Sequence, residues 1–397
     1  MAVVAGSDRT ALPPVQPVET LPPASPGGVV AEPSAEERIS VASQWQLMWW
    51  RFRKHRVAMA SAFVVLLFYA GVVFADVLAY ADPLASEAQR SLLPPQTVHL
   101  FDDGRFAPFV YAIKGERDLL TFKRVYVEDR SRKMYLRLFA QGLDYKLLGV
   151  IPSNVHLIGL QGAPAEANLF LLGSDLQGRD VWSRLMYASQ TSLTIGLIGV
   201  SLSLLLGVLL GGISGYYGGI ADTVIQRLIE ILHSVPAIPL WMGLAAAMPK
   251  DWSIIQVYFA ITIILSLIGW TTLARVVRGR FLSLRDEDFV KAAELSGAGP
   301  GRIIFVHMVP LFLSHIIAAT TLALPAMIIS ETALSFLGLG LRPPAMSWGV
   351  LLQQAQNIQT VALSPWLMLP AVPVTMIILA FNFLGDGLRD AADPYGV

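Results

Sequence analysis

The chain has 397 residues, of which 54% are hydrophobic and 15% are charged, with a mean hydropathy of +0.56. These values are far from those of soluble proteins and predict a membrane-embedded chain. The 29 basic residues equal the 29 acidic residues in number, so no basic surplus favours nucleic acid as a partner, and the absence of cysteine excludes disulfides and thiolate chemistry.

Residues 1–40 are rich in Pro, Ala, Ser and Glu and show no apolar periodicity. Such a segment cannot bury enough apolar surface to offset the entropy of ordering, so we expect a disordered cytoplasmic tail. The first apolar run begins near Val57, too late for a cleaved signal peptide. Residues 41–80 are therefore expected to form an amphipathic lead-in and the first membrane-spanning helix.

Six segments are apolar over the length of about 20 residues that a helix needs to cross a bilayer. They lie at residues 57–80, 191–213, 223–247, 253–275, 306–329 and 364–385. The sequence thus predicts an all-α polytopic membrane protein with six transmembrane helices. Residues 186–390 would form a five-helix core with a connecting loop at 276–305, followed by a C-terminus at 391–397.

Basic residues in the short connections predict the orientation. The segment before the first span and the connection between the fourth and fifth spans hold most of them: Arg51, Arg53, Lys54, Arg56, Arg275, Arg278, Arg280, Arg285, Lys291 and Arg302. The other short connections contain only Lys250 and Arg342. Both termini are therefore predicted to be cytoplasmic.

Residues 81–185 hold many charges of both signs and are predicted to be a small β-rich external domain between the first two spans. One hairpin is expected at Thr97–Phe101 and Phe106–Ile113, around Asp102-Asp103-Gly104. A second is expected to pair residues 125–127 with 135–139 around a charged run at 130–133. A folded spacer or lid is the preferred interpretation over a substrate-binding surface.

Motifs of enzymes and ATPases are not found in the sequence. There is no G-x-x-x-x-G-K-[ST] loop, no H-E-x-x-H and no G-x-S-x-G, and the six histidines lack metal-ligand spacing. We therefore expect no catalytic, cofactor or metal site in this chain. If transport uses ATP, another chain hydrolyses it.

The polar stretch from Asp286 to Pro310 lies between two predicted spans. Apolar residues at Phe289, Val290, Ala293 and Leu295 predict a short helix with one apolar face. Gly297 is placed to end this helix with a positive φ. The pattern alone leaves two interpretations open, docking into a partner's cleft or lying on lipid headgroups.

The same stretch resembles the E-A-A…G…L-P loop of binding-protein-dependent ABC importer permeases. Lys291-Ala292-Ala293, Gly297 and Met308-Val309-Pro310 carry the resemblance, although the family motif often has glutamate at the position of Lys291. In that family the loop forms a coupling helix against the ATPase. The resemblance implies an ATPase-coupling site formed by Lys291, Ala292, Ala293, Glu294, Gly297 and Pro310.

Four further stretches are similar to the dipeptide/oligopeptide/nickel branch, in its second permease subunit. They are Leu172–Val181 (L-G-S-D-L-Q-G-R-D-V), Gly215–Gly219 (G-Y-Y-G-G), Glu331–Gly340 with Pro343 to Gly349, and Asn382–Asp390 with Asp393-Pro394. The resemblance implies the type I ABC importer permease fold in a bacterial inner membrane.

Partners also follow from the resemblance. It implies a second homologous permease subunit, two ATP-binding cassette ATPases that hold ATP and Mg, and an external solute-binding protein. This chain would contact the lipid bilayer and bind no cofactor and no nucleic acid. Peptides are the first expected solute, with oligosaccharides, opines or nickel as alternatives.

Polar and small residues within the spans complete the predictions. Arg227, Glu230 and His233 recur at i, i+3 and i+6 in span three, and the first two are expected to pair. A structural or coupling role is preferred for them over solute contact. A glycine face at residues 207, 211 and 215 is predicted to allow close helix packing, and Pro236, Pro239 and Pro325 are predicted to kink their helices.

Two rival functions remain at this point. An intramembrane enzyme using Glu230, His233 or His307 is disfavoured, because no nucleophile–base pair or metal cluster accompanies these residues. An ion-coupled secondary transporter would need inverted repeats and acids near the midplane of the membrane. No repeat is evident, and Glu230 is the single acid found away from the ends of the predicted spans.

Overall fold

The computed structural model describes residues 44–117, 124–161, 169–249 and 251–392. The predicted tail at residues 1–40, Lys250 and most of the predicted C-terminus at 391–397 lie outside these ranges. The chain divides into two compact units, residues 1–47 and 48–397. Of the first unit the structure describes only residues 44–47, the first turn of helix α1.

Helices make up most of the described chain. They are α1 (Gln44–Lys54), α2 (Arg56–Val73), α3 (Ala75–Leu78), α4 (Val181–Tyr217), α5 (Gly219–Ser234), α6 (Ala237–Ala246), α7 (Ile254–Leu284), α8 (Asp288–Leu295), α9 (Pro300–Arg302), α10 (Leu313–Phe336), α11 (Trp348–Gln353), α12 (Ile358–Leu363) and α13 (Ala371–Ala392). A π-helical turn (Ile303–Met308) and a 3₁₀ turn (Val309–Phe312) join α9 to α10.

Five helical segments of the described chain are long and apolar enough to cross a membrane. They are Arg56–Val73, Val181–Tyr217, Ile254–Leu284, Pro300–Phe336 and Pro365–Ala392. Helices α5 and α6 would form a sixth span only together, because they are bent by 86° where they meet. The described chain is therefore mostly helical with five to six candidate spans, and the predicted third span is broken.

The break between α5 and α6 is explained by Pro236. A residue before proline is pushed out of the helical region, and Val235 has φ −97° and ψ 130°. The predicted kink at this proline is confirmed. Pro239 instead lies in the first turn of α6, and Pro325 lies inside the uninterrupted helix α10.

Helix α4 begins at Val181 and not at residue 191, so the predicted domain boundary between residues 185 and 186 falls inside it. The Asp180 side chain caps the helix by accepting the Ser183 N–H at 2.7 Å. Ser183 and Arg184 in the first turn are fully buried although they are polar. Hydropathy does not detect this turn, because its polar side chains are buried against distant parts of the chain, as when the Arg184 Nη1 donates to the Pro83 carbonyl at 3.0 Å.

The β-rich segment is one antiparallel sheet of four strands in the order β1-β2-β3-β4. The strands are β1 (His99–Asp102), β2 (Arg105–Arg117), β3 (Arg124–Leu147) and β4 (Ile151–Leu160). Asp103 and Gly104 have φ values of 45° and 80°. These positive values are those of a two-residue type I′ turn, so the first predicted hairpin is confirmed.

The second predicted hairpin is wrong, because residues 125–127 and 135–139 both lie in β3. Tyr111 pairs with Lys133 and Ala112 pairs with Asp129, so residues 130–132 bulge out of the strand. The Asp129 carboxylate accepts the Ser131 N–H and pairs with Lys114 of β2 at 2.6 Å. The charged run therefore protrudes into solvent without reversing the chain.

Glycines let α4 and α7 pack closely. A Cβ at Gly207 would lie 2.9 Å from the Leu273 Cβ, and one at Gly211 would lie 2.5 Å from the Ala274 carbonyl oxygen. A Cβ at Gly215 would lie 2.8 Å from the carbonyl oxygen of Arg278. The predicted glycine face of α4 is therefore confirmed as a helix-packing surface.

The sheet and α8 lie at opposite ends of α4, which is about 55 Å long at 1.5 Å per residue. At its start, the Trp182 indole donates to the Leu78 carbonyl at 2.8 Å, beside the sheet. At its other end, the Tyr216 hydroxyl donates to Glu294 of α8 at 2.8 Å. These two regions are called the sheet end and the α8 end.

Candidate functional site

At the α8 end, one valine seats α8 on the membrane helices. Val290 is completely buried in an apolar cluster. Its partners come from α7 and from the segment Pro300–Phe336, namely Val277, Phe281, Ile303, Ile304, Met308, Phe312 and Ile316, with Val208 of α4 at the edge. A displacement of α8 would therefore disturb an apolar cluster in which three candidate spans meet.

The apolar residues of α8 do not form the single face that was predicted. Val290 and Ala293, three residues apart, face the cluster, whereas Phe289 is 38% exposed and Leu295 is 90% exposed. Leu295 lies five residues from Val290 and so projects from the other side of the helix. The exposed face offers an apolar contact to something outside this chain.

The end of α8 is confirmed at Gly297, which has a φ of +80°. The Ala298 N–H donates to the Ala293 carbonyl at 3.0 Å and the Gly297 N–H donates to the Glu294 carbonyl at 2.9 Å. These two bonds form a Schellman motif. The turn satisfies the last carbonyls of α8 and directs the chain back towards the membrane helices.

The predicted coupling residues lie in two places. Lys291, Ala292, Glu294 and Gly297 are exposed on or after α8, and Ala293 is half-buried. Pro310 is exposed in the 3₁₀ turn that follows the π-helical turn. Because proline has no N–H to donate, it interrupts the helical hydrogen-bond ladder. The role of these residues in coupling stays a prediction.

Asp222 and Arg278 form an ion pair that the sequence analysis did not identify. The Arg278 Nε and Nη2 donate to the two carboxylate oxygens of Asp222 at 2.5 and 2.7 Å, joining α5 to α7. The Ser214 hydroxyl also donates to Asp222, at 2.5 Å. An acid in the first turn of α5 was the available signal, but Arg278 was read only as a marker of orientation.

The residues predicted on span three lie along α5. Arg227 and Glu230 pair at 2.6 Å as expected, and their side chains are 74% and 55% exposed. His233 Nε2 lies 3.0 Å from the Thr271 hydroxyl, which donates to the Ile268 carbonyl. Nε2 is therefore assigned as the donor. These three residues contact α7 or each other, and no described hydrogen bond or ion pair joins them to α8.

Glu331 is a buried acid that the sequence analysis placed in an external loop. It lies inside α10, is fully buried and accepts from the Ser192 and Ser335 hydroxyls at 2.9 and 2.8 Å. Those serines accept the N–H groups of Trp348 and Leu341 at 3.1 Å. Glu230 is thus not the single acid within the spans, and Glu331 fixes the following loop onto α4 and α10.

At the sheet end, the segment Leu172–Val181 forms a polar turn that joins distant parts of the chain. Asp175 accepts the Arg179 Nε at 2.8 Å and an amide hydrogen of Gln354 at 3.2 Å. Burial raises the pKa of the adjacent Asp180 to about 6, against the opposing effect of its hydrogen bonds to Ser183 and Tyr80. This turn positions the start of α4.

Two family models match the chain. The model of the binding-protein-dependent transport system inner membrane component matches residues 207–395, and that of the N-terminal TM domain of oligopeptide transport permease C matches residues 43–95. The sheet lies between these ranges. The matched ranges include α8, the Asp222–Arg278 pair and the first candidate span.

Curated relatives agree with the family models. The oligopeptide transport system permease protein OppC of Bacillus subtilis is 35% identical over 243 residues, which are 61% of this chain and 76% of that protein. OppC of Haemophilus influenzae is 37% identical, over 59% of this chain and 73% of that protein. The dipeptide transport system permease protein DppC of B. subtilis is 37% identical, over 59% of this chain and 71% of that protein.

A solved structure of the inward-facing MetNI methionine ABC transporter is 17% identical, with a TM-score of 0.39, and covers 51% of this chain and 95% of that one. The family assignment rests on the family models and the curated relatives. The chain is a multi-pass inner-membrane protein that belongs to the binding-protein-dependent transport permeases, in the branch that contains OppC and DppC.

Proposed function

We propose that this chain is one of two permease subunits of an ATP-driven importer of peptides. A second homologous permease, two ATPases and an external solute-binding protein would complete the transporter. ATP and Mg would bind to the ATPases, and this chain would perform no catalysis. The observation that supports the proposal most is α8, whose Val290 is buried in the cluster where three candidate spans meet and whose Leu295 is turned outward.

The packing of α8 suggests how force would pass from the ATPase. A close-packed cluster does not deform continuously, so moving α8 would shift the helices that hold Val290. Tyr216 extends this contact to the end of α4 through Glu294. The Asp222–Arg278 pair extends it from α7 to α5, and Arg227 and Glu230 follow on that helix.

We propose that α5 and α6 cross the membrane together, which gives the type I permease fold with six spans. Their broken backbone would then face protein or water, because unpaired backbone groups are not tolerated in lipid. The basic residues before α2 and around α8 support a cytoplasmic position for both termini and for the α8 end. The sheet would then lie on the external side.

Peptides are the preferred solute because the relatives named above are oligopeptide and dipeptide permeases. Oligosaccharides, opines or nickel are the alternatives, and the external binding protein would set the choice. Uptake of a labelled dipeptide, in competition with each alternative, distinguishes among them. The Arg227–Glu230 pair is assigned a structural or coupling role in this scheme.

The exposed leucine of α8 allows a direct test. Tagged wild-type chain and the Leu295→Asp variant are purified from gently solubilised native membranes, and the co-purified proteins are tested for ATPase activity. Val150→Asp is the matched control, because Val150 is also a large exposed apolar residue, at 78%, but lies in the turn between β3 and β4. Neither substitution disturbs a buried contact.

We expect the wild-type chain and Val150→Asp to retain two ATPases and a second permease. Leu295→Asp should lose the ATPases or their dependence on solute, since a carboxylate in an apolar interface is costly. Wild-type chain recovered alone, with transport indifferent to ATP, would overturn the proposal and favour the secondary-transporter interpretation.

A further inference from the structure

The segment that leads into the first candidate span has a high density of positive charge. From Gln44 to Ala75 the sequence contains no aspartate or glutamate, whereas Arg51, Arg53, Lys54 and Arg56 lie within six residues. Arg53, Lys54 and Arg56 are exposed and make no ion pair with any acid in the described parts of the chain.

Two tryptophans accompany these basic residues. Trp49 is 55% exposed and Trp50 is 42% exposed, although both are large and apolar. Phe52 between them and the basic residues is only 6% exposed and packs with Ala391 of α13 and Ala58 of α2. The segment is thus fixed to the membrane helices by Phe52 while its tryptophans and basic groups remain outside the protein.

The position of the segment identifies what covers it. Lys54 ends α1, His55 accepts the Ala58 N–H at 3.1 Å, and α2 begins at Arg56 as a candidate membrane span. The sheet lies beyond the other end of α2, next to α3, whose Leu78 carbonyl accepts the Trp182 indole N–H. The exposed groups are therefore held at the membrane surface, where tryptophan rings prefer to lie and where anionic lipids attract basic residues.

We propose that residues 48–56 bind anionic phospholipid headgroups of the leaflet in which α2 begins. Arg53, Lys54 and Arg56 contact the headgroup phosphates, and Trp49 and Trp50 lie among the upper acyl chains and glycerol groups. Phe52 fixes this site to α2 and α13, so bound lipid holds the base of both helices. The site is independent of which solute the transporter carries.

The absence of cysteine makes the site measurable with one probe. Val57→Cys, at a position 51% exposed beside the site, is labelled with a fluorophore in the full-length chain. The chain is reconstituted in vesicles with spin-labelled phosphatidylglycerol or spin-labelled phosphatidylcholine, which quench fluorescence on contact. The ratio of quenching by phosphatidylglycerol to quenching by phosphatidylcholine gives the preference for the anionic lipid around this position.

We expect a preference of at least about fivefold for phosphatidylglycerol, the factor that corresponds to a single basic residue near a charged surface. The variant Arg53→Gln/Lys54→Gln/Arg56→Gln should lower this preference by at least about twofold, although Arg51 remains. A matched variant, Arg130→Gln/Arg132→Gln/Lys146→Gln, removes three exposed basic residues of the sheet and should leave it unchanged. Ile255 is exposed in the first turn of α7, at the end of that helix farthest from α8. A probe at Ile255→Cys should show no preference for phosphatidylglycerol.

Three outcomes would overturn the proposal. They are equal quenching by the two lipids in the wild-type chain, an unchanged preference in the triple variant, and loss of the preference in millimolar inorganic phosphate at constant ionic strength. The last result would assign the site to a soluble anion. All substituted side chains are exposed, and an unchanged unfolding temperature shows that each variant is folded.

Discussion

The α8 end and the sheet end of the molecule are held together by different forces. At the α8 end, glycines bring α4 against α7, and Val290 joins a buried apolar cluster. At the sheet end, Asp175, Asp180 and the Lys114–Asp129 pair hold the chain by polar contacts. The family models match the α8 end and leave the sheet unmatched.

The comparison shows which end of the molecule tolerates substitutions least. Close helix packing tolerates no added atoms, so changes at the α8 end act through the whole helix bundle. The polar contacts within the sheet are more exposed than those of Asp175 and Asp180, and exposed polar contacts each contribute little, so the sheet can change residue by residue at small cost. Substitutions at the two ends should therefore differ in size, in the order given below.

The largest effect is expected for Gly211→Leu. Its side chain must displace the backbone of Ala274, because a Cβ alone would lie 2.5 Å from that carbonyl oxygen. We expect a loss of about 3 kcal/mol or more in the free energy of unfolding, measured in a mixed-detergent titration. Gly279→Leu is the control, since a Cβ at Gly279 has no neighbour within 4 Å. Equal losses in the two variants would contradict this account of the glycine face.

Val290→Ala should have the next largest effect. The substitution leaves a cavity between α8 and its cluster, which costs about 1–2.5 kcal/mol for a buried valine. Protease cleavage within residues 286–299 should become faster, because α8 loses its only fully buried side chain in the described structure. Leu295→Ala, at a residue that is 90% exposed, is the matched control and should change stability by less than about 0.5 kcal/mol.

A double-mutant cycle at Asp222 and Arg278 tests whether polar contacts also act strongly at the α8 end. The pair is bidentate and partly buried, with side chains 19% and 31% exposed, so we expect a coupling energy of about 1–2 kcal/mol. Asp222→Asn, Arg278→Gln and the double variant are compared by thermal unfolding. Additive effects would show that the pair contributes no coupling and that apolar packing alone holds this end.

The sequence predicted those parts of the fold that depend on local pattern. Five spans follow from hydropathy, the first hairpin from Asp103-Gly104, and the end of α8 from Gly297. It also predicted the pairing of Arg227 with Glu230, because residues three apart on a helix face each other. These features need no knowledge of distant residues.

The remaining features depend on contacts across the chain. The start of α4 was missed because Arg184 is polar yet buried against distant residues. The second hairpin was predicted wrongly because β3 continues through the bulge and pairs with β2 on both sides of it. Glu331 was assigned to a loop because its serine partner on α4 is 139 residues away. The candidate site was predicted by motif, but which side of α8 is buried was not.

The smallest effect is expected for Lys114→Met in the sheet. The ammonium group of Lys114 holds the pKa of Asp129 at about 2, below its ordinary value, with help from Ser131. A lowered pKa in the folded state stabilises the fold above the ordinary pKa of aspartate, near 4, and this contribution is lost as pH falls from about 4 to 2. Removing Lys114 should raise the pKa of Asp129 and flatten that dependence.

A carboxyl ¹³C titration of Asp129 measures this change directly, and Lys146→Met in the same sheet is the control because Lys146 has no ion pair in the described chain. The Lys114 side chain is 68% exposed, so thermal stability near pH 7 should change by less than the precision of the assay. A large loss of stability in Lys114→Met would mean that the bulge at residues 130–132 depends on this one charge, and that the sheet end is as restrictive as the α8 end.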